Sequence, residues 1–336
     1  MNSRLASTQA RTARHLTETA ACACMPWIGQ RDKHAADAAA VQSLRRAWAK
    51  MPLGGRVVIG EGEKDDAPAL APGEHVGAAD APPMDVAVDP LEGTRLAADA
   101  APGALSVLAL APAGSIQPLG RAFYMHKLIG PADAADALNL DAPPPQVACD
   151  IASAIGVAPV ALRVAVQDRP RHEELVRALR NVGAQVHLFA DGDLSFALQA
   201  LHPRDEASGE SHASSVDVLW GVGGAPEGLL AAAAQRATGG AMQMRLAPRS
   251  ARERRQIETS DAGPAALHRT YTAPDLVRAQ AVTVALTGVT DGPLLRGVQH
   301  NRREGTLTTE TLLLQSGTAP KQVCTEHAHP ERASTA

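Results

Sequence analysis

The stretch Met84-Asp85-Val86-Ala87-Val88-Asp89-Pro90-Leu91-Glu92-Gly93-Thr94 constrains this chain more than any other. A short extended run, residues 84–88, delivers an aspartate to a proline, which cannot donate to a central sheet ladder and is predicted to end the strand. A second carboxylate follows three residues after the first, then a glycine and a threonine. Strand alternation places Asp85, Ala87 and Asp89 on one face and Val86 and Val88 on the other. Two carboxylates at one strand end can reach a single divalent cation. Gly93 permits close backbone approach, and a helix starting at Thr94 would aim its amides at a phosphate oxygen. Taken alone, the same residues also describe a surface turn.

Composition narrows what can surround this stretch. The 336 residues suffice for one large or two medium domains with an ample core. Aromatic residues make up 2%, so that core must be built mainly from Ala, Val and Leu. A net charge of −4 gives no reason to expect nucleic acid or a membrane surface as partner. No run approaches the roughly 18 apolar residues of a membrane span. Cys22, Cys24, Cys149 and Cys324 are too scattered for a disulfide framework, and Cys22-Ala23-Cys24 lacks the spacer of a zinc or redox motif. A reduced, cytoplasmic protein is the expectation. Residues 1–16 carry Arg4, Arg11 and Arg14 and no acid, a composition shared by transit peptides and surface helices.

Helices are expected over residues 16–28 and, from the spacing of Asp37, Val41, Leu44 and Trp48, onward to about Lys50. Short strands are expected at 56–59 and 105–111. The Pro-rich residues 141–146 mark a seam. The expected organisation is therefore an α+β half over 1–142, an α/β half over 143–320 and a flexible tail over 321–336. Past the seam, strands at 162–166, 186–189 and 216–222 alternate with helices, the first over 171–181 and stopped by Gly183. Polar motifs sit at the carboxyl ends of these strands, where α/β ligand sites gather. Residues 204–215 read as a polar loop, and a late strand is expected at 308–314.

Three blocks then carry a resemblance. They are Trp27-Ile28-Gly29-Gln30-Arg31-Asp32-Lys33-His34-Ala35-Ala36-Asp37, Val57-Val58-Ile59-Gly60-Glu61-Gly62-Glu63-Lys64-Asp65-Asp66-Ala67-Pro68, and Asp85 through Arg95. In this order they resemble the class II fructose-1,6-bisphosphatases, a branch of the lithium-sensitive, metal-dependent sugar and inositol phosphatase superfamily. The resemblance runs over about residues 16–317 and is weakest at 247–275. It implies an α/β, αβαβα-layered sugar-phosphatase fold. It also implies hydrolysis of the 1-phosphate of fructose 1,6-bisphosphate in gluconeogenesis or a reductive pentose phosphate (Calvin) cycle. Sedoheptulose 1,7-bisphosphate, alone or as a second substrate, is the nearest alternative. An inositol monophosphatase and a catalytically silent phosphosugar-binding protein are the others. Homodimers or homotetramers are common in the family.

By this resemblance Asp37, Glu61, Asp89, Glu92 and Glu227 would hold Mg²⁺ or Mn²⁺, hard cations that want oxygen ligands. Thr94 would orient or deprotonate the attacking water, with Asp65 nearby, and Lys33 would offset charge. Glu92, Gly93 and Thr94 would also touch substrate. Arg169-Pro170-Arg171 stands at a strand-to-helix junction, where guanidinium groups suit a second phosphate. Tyr124, Asp191, Gly192 and Asp193 would meet the sugar, with Gly224 allowing close backbone approach. Departures from the family pattern are Arg31 and Ala38 where glycines are usual, Gly103 for asparagine, His126 for glutamate and Arg169 for lysine.

Overall fold

The computed structural model describes residues 3–60, 70–81, 83–120, 122–201, 216–260 and 263–328. In chain order the elements are α1 (Ser3–Cys24), α2 (Lys33–Trp48), β1 (Gly55–Ile59), β2 (His75–Val76), β3 (Met84–Glu92), α3 (Thr94–Ala98) and β4 (Leu105–Pro112). There follow β5 (Tyr124–Gly130), α4 (Pro144–Ala154), β6 (Arg163–Gln167), α5 (Glu173–Asn181), β7 (Gln185–Phe189), α6 (Asp193–Leu201) and β8 (Val218–Gly224). Next come α7 (Ala225–Thr238), β9 (Ala241–Leu246), α8 (Ala251–Glu258), α9 (Ala273–Leu276), β10 (Thr283–Gly288), β11 (Gln299–Asn301), β12 (Thr306–Gln315) and β13 (Lys321–Ala328). The chain is thus a mixed α/β protein, as expected from its alternating pattern.

It divides into two compact units, one of Met1–Ile116 with Ala279–Ala336, the other of Gln117–Arg278. The division falls elsewhere than at 142/143. Pro144 and Pro145, read as a seam, occupy the start of α4, where proline is tolerated because the first helical amides have no partner anyway.

In the first unit the sheet runs β11-β12-β10-β4-β3-β1-β2, with β13 on the other edge of β12. Among the described residues only β1 and β3 are parallel neighbours there. Alanines let the helices come close: Ala13, Ala20 and Ala21 of α1 and Ala36 and Ala40 of α2 share a core with Val57, Val86, Val88, Leu108 and Leu110. Trp48 is the large aromatic in this core, and its indole donates to the Leu53 carbonyl at 3.1 Å. Helix α1 begins well before Leu16 and buries Ala13 and Leu16, so the arginine-bearing start of the chain belongs to the fold. Hydroxyls line the rest of its footprint, with Thr287 bonded to Thr17 and Thr311, each at 2.8 Å.

The stretch expected to be a flexible tail from 321 contains β13, paired along eight residues of β12. Its composition hid it, because an edge strand covered on one face needs few apolar residues. Val323, Thr325 and His327 form the half-buried side, and Thr325 donates to the buried Glu18 carboxylate at 2.6 Å.

The second unit is built on the sheet β7-β6-β8-β5-β9. Strand β6 is parallel to β7 and β8, and β5 is antiparallel to β8 and β9. Val164 and Val166 of β6 are buried with Val147 and Ile151 of α4, Leu179 of α5 and Trp220 of β8. Among the described residues no helix is long and apolar enough to cross a membrane, and all four cysteines are free thiols.

Candidate active site

Strand β3 does not stop at Val88. It continues through Pro90 to Glu92 with a shift in its pairing to β4 between Asp89 and Glu92. A bulge is where a strand accepts proline, and here it also has a chemical consequence. Residues three apart on a regular strand point to opposite faces. The shift corrects that phase, and carboxylate oxygens of Asp89 and Glu92 come within 4.8 Å of each other. Asp89 Oδ1 accepts from the Leu91 amide at 3.1 Å, which closes the turn around the proline. Glu92 is buried. Gly93 then adopts φ 78°, a left-handed conformation open to glycine at little cost, and Thr94 begins α3 half-buried.

Asp85, on the same strand, is structural: its Oδ2 accepts from the Ile116 amide at 2.9 Å. Asp32 caps α2 by accepting from the Ala35 amide at 2.9 Å, a cap typical of helix starts. The cap sets Lys33, exposed, at the first helical position and Asp37, half-buried, one turn on. Glu61 and Asp65 lie outside the described residues.

The second unit gathers its own charged cluster. Lys127, buried in the middle of β5, pairs with Asp193 at 2.6 Å at the start of α6. Glu227 stands in the first turn of α7, where a carboxylate is favoured by the helix dipole. Its Oε2 is buried and makes no hydrogen bond among the described residues. Burial first, then the charge of Asp193, pushes the Glu227 carboxyl up, and Lys127 opposes the shift. Two carboxylates thus face one ammonium.

The Gly223-Gly224 pair is explained by these acids. A Cβ at Gly224 would fall 1.8 Å from Glu227 Oε2, and one at Gly223 would fall 2.2 Å from Asp193 Oδ2. An orphaned carboxylate oxygen inside a glycine-made cradle fits a hard divalent cation with oxygen ligands.

The Arg169-Pro170-Arg171 block is divided in what it does. Arg169 Nη1 donates to its neighbour's carbonyl, that of Asp168, at 2.8 Å. Pro170 opens a single helical turn that leads into α5. Arg171 reaches β8: its Nε and Nη2 donate to the Val222 carbonyl at 3.1 and 2.6 Å, and Nη2 also to Gln167 Oε1 at 2.8 Å. His172, next in sequence, holds the same strand residue by its amide. Its Nε2 accepts from the Val222 amide at 2.8 Å while Nδ1 meets the Gln167 carbonyl at 2.7 Å. An amide can donate only to a bare nitrogen, so His172 is neutral with its proton on Nδ1. Burial lowers its pKa accordingly.

His126, in the place of a common glutamate, behaves likewise. It accepts from Trp220 Nε1 at 3.2 Å, and burial, then His172 and Arg245, bring its pKa down to about 4. Tyr124 opens β5 opposite Gly224. Asp191 Oδ1 accepts from the Gly192 amide at 3.2 Å, with Gly192 at φ 84°.

The sequence reading did not single out Lys127 or Arg249. The signal for Lys127 was present, since a lysine flanked by Met125, Leu128 and Ile129 in a strand must find a counter-charge when buried. Arg249 lies in the segment where the family pattern is weakest, and only the structure brings it to Tyr124, with its guanidinium carbon 4.8 Å from the ring centre.

Comparison with known proteins gives a consistent picture. A family model described as bacterial fructose-1,6-bisphosphatase, glpX-encoded, matches residues 8–327. The fructose-1,6-bisphosphatase class 2 of Haemophilus influenzae is 36% identical over 312 residues, covering 89% of this chain and 90% of its own length. Fructose-1,6-bisphosphatase 1 class 2 of Escherichia coli is 36% identical, with 89% of each chain covered. A Synechococcus protein named D-fructose 1,6-bisphosphatase class 2/sedoheptulose 1,7-bisphosphatase is 35% identical, with 90% of each covered.

Proposed function

This chain belongs to the glpX-encoded bacterial fructose-1,6-bisphosphatase family, and on that premise we propose that it hydrolyses the 1-phosphate of D-fructose 1,6-bisphosphate. The products are fructose 6-phosphate and inorganic phosphate. The observation that carries the reading is the extent of the match, residues 8–327, which takes in every residue assigned a role from sequence. Asp37, Asp89, Glu92 and Glu227, with Glu61, are the proposed ligands of Mg²⁺ or Mn²⁺. The Asp89–Glu92 oxygens within 4.8 Å and the orphaned Glu227 Oε2 support that assignment. When bound, such cations neutralise phosphate charge and acidify the attacking water.

The chain's own groups do the rest. Thr94, fixed by the bulge and by Gly93, orients the water through its hydroxyl, with Asp65 as the accompanying base. Lys33 offsets negative charge on the scissile phosphate. Tyr124, Asp191, Gly192 and Asp193 meet the sugar beside Gly224. Asp193 arrives there already held by Lys127, which makes it an oriented acceptor for a sugar hydroxyl. Arg171, with Arg169 and Pro170, receives the phosphate that is not cleaved. In-line attack needs no covalent intermediate, since positioning and charge stabilisation supply the acceleration.

The name of the Synechococcus relative favours one second reading, an additional activity on sedoheptulose 1,7-bisphosphate. Both are tested by phosphate release from purified protein with Mg²⁺ or Mn²⁺, on each sugar, beside Glu92→Gln. Release is expected to fall by at least about 100-fold in the variant, the scale seen when a charge-stabilising group is removed from an active site, and to vanish in chelator. Release that persists in chelator at the wild-type rate would sink the metal-dependent reading, and the ratio between the two sugars decides the substrate.

A further inference from the structure

The loop before α8 carries a guanidinium, that of Arg249, over the ring of Tyr124. Val222 and Gly224, two residues apart at the end of β8, tie Arg171 and Tyr124 to the same strand end. Val222 holds Arg171 through its carbonyl, and Gly224 pairs with Tyr124, whose ring carries Arg249 at 4.8 Å. The loop is pinned at both ends of this contact. Ala247 donates to the Tyr124 carbonyl at 2.9 Å. The buried Glu253 carboxylate takes the amides of Phe123 at 2.9 Å and of Arg249 at 2.8 Å. Glu253 thereby spends its two oxygens on backbone, and its amide is in turn capped by Ser250 at 3.0 Å.

Neither Arg171 nor Arg249 has a carboxylate in ion-pair range among the described residues, since Arg171 is bonded to neutral carbonyl and amide oxygens. Burial first, then the positive charges of Arg249 and Arg169, lowers the pKa of Arg171. Asp193 and Tyr124 oppose that shift without cancelling it, so like charges are held together at a cost that an incoming anion relieves. A cavity of 580 Å³ opens at the stack, lined by Phe123, Tyr124, Arg249 and Arg252.

We propose that Arg249, stacked on Tyr124, is the second guanidinium of a clamp with Arg171 that binds the uncleaved phosphate of the sugar bisphosphate. The proposal rests on the bisphosphatase reading above and deepens it. It assigns the discrimination between bisphosphate and monophosphate to a residue outside the family blocks. The aromatic face orients the guanidinium while leaving its N–H edge free to donate.

The test compares wild type, Arg249→Ala and Arg249→Lys on fructose 1,6-bisphosphate and on fructose 1-phosphate, which lacks the second phosphate. Binding of both sugars by calorimetry accompanies the kinetics. In Arg249→Ala the ratio of kcat/KM for bisphosphate over monophosphate is expected to fall roughly 10- to 100-fold, the scale of one lost charge-assisted hydrogen bond. The loss falls on KM, and Arg249→Lys recovers part of it. An unchanged ratio in a variant that still hydrolyses bisphosphate overturns the clamp alone. So does an equal loss on both sugars. Wild-type protein that neither binds nor cleaves bisphosphate overturns the functional reading, and the clamp with it.

Discussion

Arg31 adopts φ 60°, the left-handed region, at the position where the family pattern has its second glycine. Its amide donates to the Ala98 carbonyl at 2.8 Å and Gly29 donates to Ala97 at 3.0 Å, so the loop conformation is fixed by hydrogen bonds regardless of side chain. A Cβ in that conformation costs about 1–2 kcal/mol, partly offset by the larger entropy that glycine loses on folding. Arg31→Gly is therefore expected to stabilise the protein by roughly 0.5–1 kcal/mol, read as a higher denaturant midpoint at unchanged slope. A midpoint that stays put or drops would show that the side chain compensates for its backbone. Ala38, the neighbouring departure, works in the opposite sense: it is exposed within α2, where alanine is better than glycine by about 1 kcal/mol. The carboxylates proposed as ligands were nominated from short sequence motifs. Lys127 and Arg249 were not, because what distinguishes them is a partner distant in sequence.

Elements were read well where apolar periodicity and a terminator coincide, as in α2, β6 and α5. They were missed or misread where one of the two was missing. Strand β9 carries its pattern on methionines, with Met242 and Met244 buried and Gln243 and Arg245 half-exposed, and β13 carries it on Val323, Thr325 and His327. Strand β3 passed its proline because the bulge absorbs it. The pair β5 and β8 also sets a pH dependence. Folding keeps His126 neutral, with a pKa of about 4 against an ordinary 6.5, so the unfolded chain takes up a proton that the folded one refuses between those values. Stability from this residue is full above about pH 6.5 and is lost as pH falls toward 4, by on the order of 3 kcal/mol. His126→Gln keeps an acceptor for the Trp220 indole and removes the titration, so its stability should decline less steeply over that window. Parallel curves for the two proteins would mean that His126 does not titrate on unfolding.

At the scale of the whole molecule, the second unit holds two carboxylates, Asp193 and Glu227, against the single ammonium of Lys127, and that imbalance opposes folding unless a cation joins them. Functional groups of this kind are commonly held at the expense of stability. The consequence is a crossover that neither a structural carboxylate nor a damaged fold would give. In chelator, Glu227→Gln relieves the repulsion and should melt at a higher temperature than wild type. With Mg²⁺ or Mn²⁺ at 100 times its dissociation constant, wild type gains about 2.7 kcal/mol from binding, while the variant gains little, so the order of the two melting temperatures inverts. Thermal melts of both proteins, with and without cation, decide it. If Glu227→Gln is the less stable protein under both conditions, the buried Oε2 is not waiting for a cation, and the cluster in this unit is held together for its fold alone.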